Sequence, residues 1–500
     1  MWEQGEGGGA GDRAGAGTVS RSGDPAGLRM ARSPEVWRWF GPLLMVAAAT
    51  LILCWPAIWN GYPLLYPDSF EYLGYGHGIS MKLRGMSPPA WMYECMRSEI
   101  YALSIFLLHG KAGLWSIAGV QAGLTAWVLW LVVRSLCSRP LWAYGAVVVT
   151  LSTGTTVAWY ASYIMPDILG PVLYLCLYLL VFAPESLGRV ERAGLVVLAC
   201  WGAASHSTHL VLAVALGAWF AVLRTARWPG MRGRGGRLLW VAGIVAVAAA
   251  AQMVVHARLY GKASLFGNPP PFLMARLLGD GPARLYLQQH CRTLPWTICL
   301  HVGNLPTTEA SFLWAPTGIW KTATPLQRAS LRREELPLLV ATLRASPREQ
   351  MGRSWANFVE LLMTVGPADF WNYGTDPAGL EFALPGLGHR YALTRQSRND
   401  LPQRLFGVIE RRVIVVSLSI VALLLPWLWR RGRGRLLGLA ATVVFVVPVN
   451  ALLCGVVSCN DPRLQDRVVW LVAMLAGIMV WMYWTERLAV KRSTNPTPPV

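Results

Sequence analysis

Long apolar stretches separated by short, arginine-rich connections set the rhythm of this chain. Ten of them, at about 40–59, 113–133, 141–159, 164–182, 193–205, 209–223, 238–256, 412–429, 436–457 and 468–485, approach the ~20 residues that a helix needs to cross a bilayer. The pattern predicts an all-α polytopic membrane protein of about ten transmembrane helices. Residues 193–223 are the difficult stretch. At ~1.5 Å per residue they are too long for one span and short for two. A short helical hairpin turning at His206 to His209 is the expectation, because a single crossing would put the RTARWPGMRGRGGR segment on the face that carries few arginines.

The charges give the spans a direction. Arg29, Arg32 and Arg38 precede the first span, and Arg134/Arg139, Arg189/Arg192, Arg224 to Arg237, Arg430 to Arg435 and Arg487/Lys491/Arg492 fill every even-numbered connection. By the positive-inside rule these lie in the cytoplasm with both termini, in a plasma or inner membrane. The chain then divides into a disordered tail over 1–37, a first membrane module over 38–256 with its first outside loop at 60–112, and an outside segment over 257–411 between spans seven and eight. Three further spans fall within 412–487, and 488–500 is a second cytoplasmic tail. The outside segment is expected to be mixed or mainly helical, from pieces such as LRREELPLLVATLRA and RSWANFVELLMTV.

Composition agrees: 54% of residues are hydrophobic and 14% charged, against about 25% charged in soluble domains. The net charge of +19 reads as membrane orientation, and no basic stripe with interleaved aromatics suggests nucleic acid. Nine cysteines without a CxxC pair signal neither a zinc framework nor a thioredoxin-like motif. Whether Cys291 joins Cys299, or Cys454 joins Cys459, is open at this level. The Gly/Ala-rich first thirty residues are too polar to fold, and the first apolar segment is too long for a cleaved signal peptide.

Most candidate chemistry falls outside. Asp68 and Glu71, in NGYPLLYPDSFEYLGYGHG, share one face of a helix starting after Pro67, where Asp68 is either a helix cap or a general base. Further on, CMRSEIYALSIFLLHG sets Arg97, Glu99 and Tyr101 ahead of an apolar helix too short to span; Arg97 pairs with Asp68 or Glu99, or meets a phosphate. Asp167 stands at the mouth of the fourth span, where it needs a partner or a metal, or caps a helix. His206 and His209 are spaced for one helical face, suited to a metal, a phosphate or local hydrogen bonds. The last outside loop, CNDPRLQDR, holds Asp461, Arg463, Asp466 and Arg467, where two guanidiniums either grip a phosphate or pair with the aspartates.

Together these pieces resemble the GT-C superfamily of membrane glycosyltransferases. The likeness rests on YPDSFEY with Asp68, RSEIYALSIFLL, MPD with Asp167, and DPRLQDR with Arg463; it covers roughly 40–260 and 412–485. The family commonly has Pro where Glu99 stands and an aromatic where Leu464 stands. The resemblance implies a polyprenyl-phosphate-linked sugar as donor and a glycan, lipid or protein as acceptor. It implies Asp68 as catalytic base, Asp167 as a second acidic residue, and Arg463 as a contact to the donor phosphate. Glu71, Arg97, Glu99, Tyr101, His206, His209 and Arg467 complete the candidate substrate site. A divalent cation, Mg or Mn, is a candidate cofactor, with Asp68, Asp167 and His209 as candidate ligands. Two rival readings are a transporter or lipid-linked-sugar flippase, for which Pro448 and Asn450 in the ninth span are the best features, and an oligosaccharide polymerase or ligase.

Overall fold

A computed structural model describes residues 36–87, 97–110, 112–231, 235–367, 381 and 385–494. Residues up to Leu43 make one compact unit, whose described part is the first turns of α1, and Leu44–Val500 make the other. The described residues are helical, and their only strand-like feature is an isolated parallel bridge between Leu64 and Tyr163. The helices are α1 (Val36–Leu53), α2 (Trp55–Asn60), α3 (Pro67–Leu83), α4 (Glu99–Leu108), α5 (Leu114–Leu136), α6 (Pro140–Gly154) and α7 (Val157–Ser162). There follow α8 (Leu169–Phe182), α9 (Arg189–Ala204), α10 (Ser207–Thr225), α11 (Leu238–Tyr260), α12 (Phe272–Asp280), α13 (Pro282–His290) and α14 (Glu309–Leu313). The last are α15 (Ile319–Thr322), α16 (Pro325–Ala345), α17 (Pro347–Met363), α18 (Leu387–Ala392), α19 (Gln403–Arg431), α20 (Gly434–Val457) and α21 (Pro462–Thr494).

Among the described residues, five helices are long and apolar enough to cross a membrane: Leu114–Leu136, Ser207–Thr225, Gly235–Tyr260, Gly434–Val457 and Pro462–Leu488. The chain is an integral membrane protein. Helix also occupies the other five expected spans, but there it is shorter, interrupted or more charged, as where α6 breaks from α7 at Thr155 and Thr156. α11 and α19 stop at Gly261 and Gly432, whose φ of 71° and 58° suit glycine as a helix C-cap.

The difficult stretch folds back on itself, turning at Ser205 and His206, slightly earlier than the four-residue turn expected from sequence. Ion pairs and ring contacts fix the direction of both arms. At the start of α9, Glu191 pairs with Arg134 at 2.7 Å. At the far end of α10, Phe220 packs edge-on to Phe182 and Trp219 donates to the Ala441 carbonyl. The basic connections meet at that same end: Arg237 pairs with Glu185, and Arg431 and Arg433 with Glu486.

The stretch between α11 and α19 is helical where described. Met274, Leu278, Leu287, Ile298, Phe312, Leu331 and Leu338 give it a core of its own. Cys291 and Cys299 form a disulfide within it, whereas Cys454 and Cys459 are free thiols. The last long helix among its described residues, α17, leaves this core and packs along α20.

Candidate functional site

The site begins with the way α3 and α4 meet. Pro67 opens α3 and Tyr66 caps it, its N–H donating to the Ser69 hydroxyl, which leaves the Asp68 carboxylate free of capping duty. A Cβ on Gly76 would run into the Ala102 carbonyl oxygen, so only glycine lets α4 sit this close to α3. That approach brings Arg97, just before α4, onto the α3 face that carries Asp68 and Glu71. Arg97 donates from Nη2 to Asp68 Oδ1 and from Nε to Glu71 Oε2, both at 2.6 Å. Burial alone would lower the Arg97 pKa, but Asp68 and Glu71 outweigh it and leave the guanidinium more firmly charged than usual. Gly76→Ala should therefore force the two helices apart, costing about 1–3 kcal/mol of stability by overpacking. A lower thermal midpoint in detergent would show it.

From the other end of the chain, α21 brings Arg463 to the same carboxylate. Its Nη1 donates to Asp68 Oδ2 at 3.0 Å and lies 3.9 Å from Asp167 Oδ2, and its guanidinium stacks over the Tyr66 ring at 4.2 Å. Asp461 holds Arg463 through its backbone N–H at 3.0 Å and through Nε at 3.5 Å. Asp68 thus bridges two arginines from distant parts of the sequence, one on each oxygen.

These groups line a cavity of about 710 Å³. Asp68, Glu71, Arg97, Glu99, His206 and Arg463, of the residues expected from sequence, face it. Val211 of α10 and Leu453 and Val457 of α20 give it an apolar wall, and Asn268, Phe272, Trp314 and Lys321 close another side. Burial, with Arg467, Arg463 and Arg97 adding to it, pushes the His206 pKa well below its ordinary value. Its Nδ1 accepts from the Thr208 N–H at the start of α10.

Tyr101, Asp167, His209 and Arg467 lie behind the cavity wall rather than in it. Tyr101 is fully buried and donates to Gln121 at 2.7 Å. Asp167 does not cap a helix; Arg467 donates to it at 3.1 Å and to Asn450 at 3.2 Å, with Arg467 only 1% exposed. The two histidine rings sit 5.2 Å apart but serve different ends: His209 Nδ1 meets the Gly202 carbonyl, while its buried Nε2 has no partner and abuts Gly170. Glu99, considered as a partner for Arg97, instead accepts from Tyr260 at 2.8 Å and meets His256 Nε2 at 3.0 Å. Asp466 pairs with neither arginine of its loop.

Sequence reasoning missed a second buried acid. Glu410 accepts from the N–H and hydroxyl of Thr156, that hydroxyl also lies 3.4 Å from the Asp466 carbonyl, and Asp466 accepts from the Gly366 N–H, while Glu410 Oε2 and Asp466 Oδ2 are buried with no hydrogen-bond partner. Glu410→Gln keeps an oxygen for the Thr156 N–H and hydroxyl and offers an amide N–H where Oε2 now has no partner, so the variant is expected to melt within a degree or two of the parent in a thermal scan in detergent.

As arranged, the side chains considered for a metal do not make a metal site. Both oxygens of Asp68 and of Asp167 face guanidiniums, Arg463 stands between the two carboxylates, and His209 Nε2 lies against Gly170. Among the described residues no three His, Cys, Asp or Glu side chains are grouped to hold an ion. The positive charge in this cavity comes from Arg97 and Arg463, with Lys321 on another side.

No protein-family model matches the sequence, and no curated protein does. A crystal structure of ArnT from Cupriavidus metallidurans bound to undecaprenyl phosphate is similar to this chain at 14% identity, over 93% of this chain and 82% of that one, with a TM-score of 0.34. At that identity and TM-score the likeness assigns no activity here.

Proposed function

We propose that this protein is a GT-C-type glycosyltransferase that moves a sugar from a polyprenyl-phosphate donor to a cell-envelope glycan, lipid or protein on the outer face of the membrane. One observation carries the reading: a single cavity joins a bridged Arg97–Asp68–Arg463 cluster to an apolar wall made by two helices of membrane-spanning length. A lipid phosphate has the same two-part chemistry, an anion suited to paired guanidiniums and a chain suited to hydrocarbon. Sidedness follows from charge, since the basic connections gather at the opposite end from the cavity, and the disulfide between Cys291 and Cys299 belongs to an oxidising space.

In this mechanism the donor phosphate competes with Asp68 for Arg97 and Arg463. Once it binds them, the freed carboxylate can take the proton of the acceptor hydroxyl. The hydroxyl oxygen then bonds the anomeric carbon as the bond to the phosphate oxygen breaks, and the leaving polyprenyl phosphate takes the electron pair with the two guanidiniums beside it. Direct displacement inverts the anomeric centre. Asn450, the feature that favoured a transporter, is spent on protein contacts, donating to the Leu464 carbonyl and Gln465 and accepting from Arg467. The test is to incubate the purified chain in nanodiscs with polyprenyl-phosphate hexoses and pentoses and a membrane extract as acceptor. Sugar incorporation with release of polyprenyl phosphate is expected; cell-envelope glycans that stay unchanged when the protein is removed would sink the reading.

A further inference from the structure

α17 belongs by sequence to the segment outside the membrane, yet it lies beside residues of two spans rather than above them. A Cβ on Gly455 of α20 would meet the Asn357 carbonyl at 2.9 Å, and Leu361 packs with Ala451, Cys454 and Leu464. Just past the helix, the Gly366 N–H donates to Asp466, one turn into α21. At 100° per residue, α17 has three faces. Gln350, Asn357 and Leu361 are buried against protein, and Glu349, Arg353 and Glu360 make a polar exposed face. Between them runs a stripe at four-residue spacing: Met351, Trp355, Val359 and Met363, exposed by 67%, 65%, 37% and 74%.

A stripe of this size has no reason to face water. On α20, the helix α17 packs along, Leu452 stands next to the contact residue Ala451 and is 48% exposed on a helix long and apolar enough to cross the bilayer, so α17 lies beside a lipid surface. We propose that α17 is seated in the bilayer interface with Met351, Trp355, Val359 and Met363 against lipid and with Glu349, Arg353 and Glu360 toward water. The same helix holds the last outside loop: Asn460 donates to Glu360 at 3.0 Å and to Asn357 at 3.4 Å, one residue before Asp461. Bilayer contact at the stripe therefore sets the position of the loop that presents Arg463 to the cavity.

The experiment uses the full chain with Cys200 and Cys459 replaced by Ser, in nanodiscs of phosphatidylethanolamine and phosphatidylglycerol. Nitroxide labels are placed through Met351→Cys, Trp355→Cys and Met363→Cys, and through Arg353→Cys and Glu360→Cys on the polar face. Labels on the stripe are expected to collide severalfold more with oxygen, which concentrates in lipid, than with a water-soluble nickel chelate, and the polar-face labels the reverse. Should one stripe variant fail to stay monodisperse, Val359→Cys reads the same face. Stripe labels that meet the nickel chelate as freely as those at 353 and 360 overturn the proposal, and so do stripe labels shielded from both reagents, which would mean that a protein covers the helix.

Discussion

Asp68→Asn is expected to lower the rate of sugar transfer by about 10²- to 10⁴-fold, the usual contribution of a positioned general base, without weakening the donor. The second half of that expectation comes from the geometry. Asp68 holds Arg97 at 2.6 Å and Arg463 at 3.0 Å, so in the resting protein it occupies the donors that the lipid phosphate needs. An asparagine keeps the shape but loses the charge, and the phosphate then meets less competition for both guanidiniums. Transfer kinetics on the purified chain should show kcat falling while the donor KM stays level or drops. Asp461→Asn gives the contrast: Asp461 orients Arg463 from the side, at 3.5 Å, and its loss should raise the donor KM more than it lowers kcat. Full activity of Asp68→Asn would remove Asp68 as the base and with it the GT-C mechanism.

The helices were legible because apolar runs of near-bilayer length admit few other structures. Asp68, Arg97 and Arg463 were legible too, each sitting in a short motif on the same side. Their pairings were not. Arg97 had Asp68 and Glu99 as sequence neighbours of equal standing, and what decided between them was the close approach of α4 to α3 at Gly76. Glu99 was then left for His256 and Tyr260, more than 150 residues away, which no local pattern foretells. The cavity wall of Asn268, Trp314 and Lys321 comes from a segment whose helical periodicity says how it folds but not where it docks. The two loop arginines looked alike in DPRLQDR. One helical turn separates them, and that turn carries Arg467 out of the cavity into the protein interior.

The difference between those arginines yields the second large effect. Arg467→Met is expected to destabilise the protein by about 3–5 kcal/mol, because it strands a buried carboxylate. Asp167 has a side chain only 4% exposed; Arg467 at 3.1 Å is its close partner, and Arg463 at 3.9 Å is shared with Asp68. Asn450 would also lose the guanidinium that it accepts from. Methionine fills much of the volume, so the effect reports charge rather than a cavity. Thermal unfolding in detergent should show a midpoint several degrees lower, and Asp167→Asn combined with Arg467→Met should recover most of the loss by removing the uncompensated charge. Arg463→Met should behave oppositely, unfolding near the parent's midpoint while losing donor affinity, since Asp68 keeps Arg97 and the cavity is open to water. If the double variant melts as low as Arg467→Met alone, Arg467 acts through packing, and the Asp167 pair is not what holds α8 to α21.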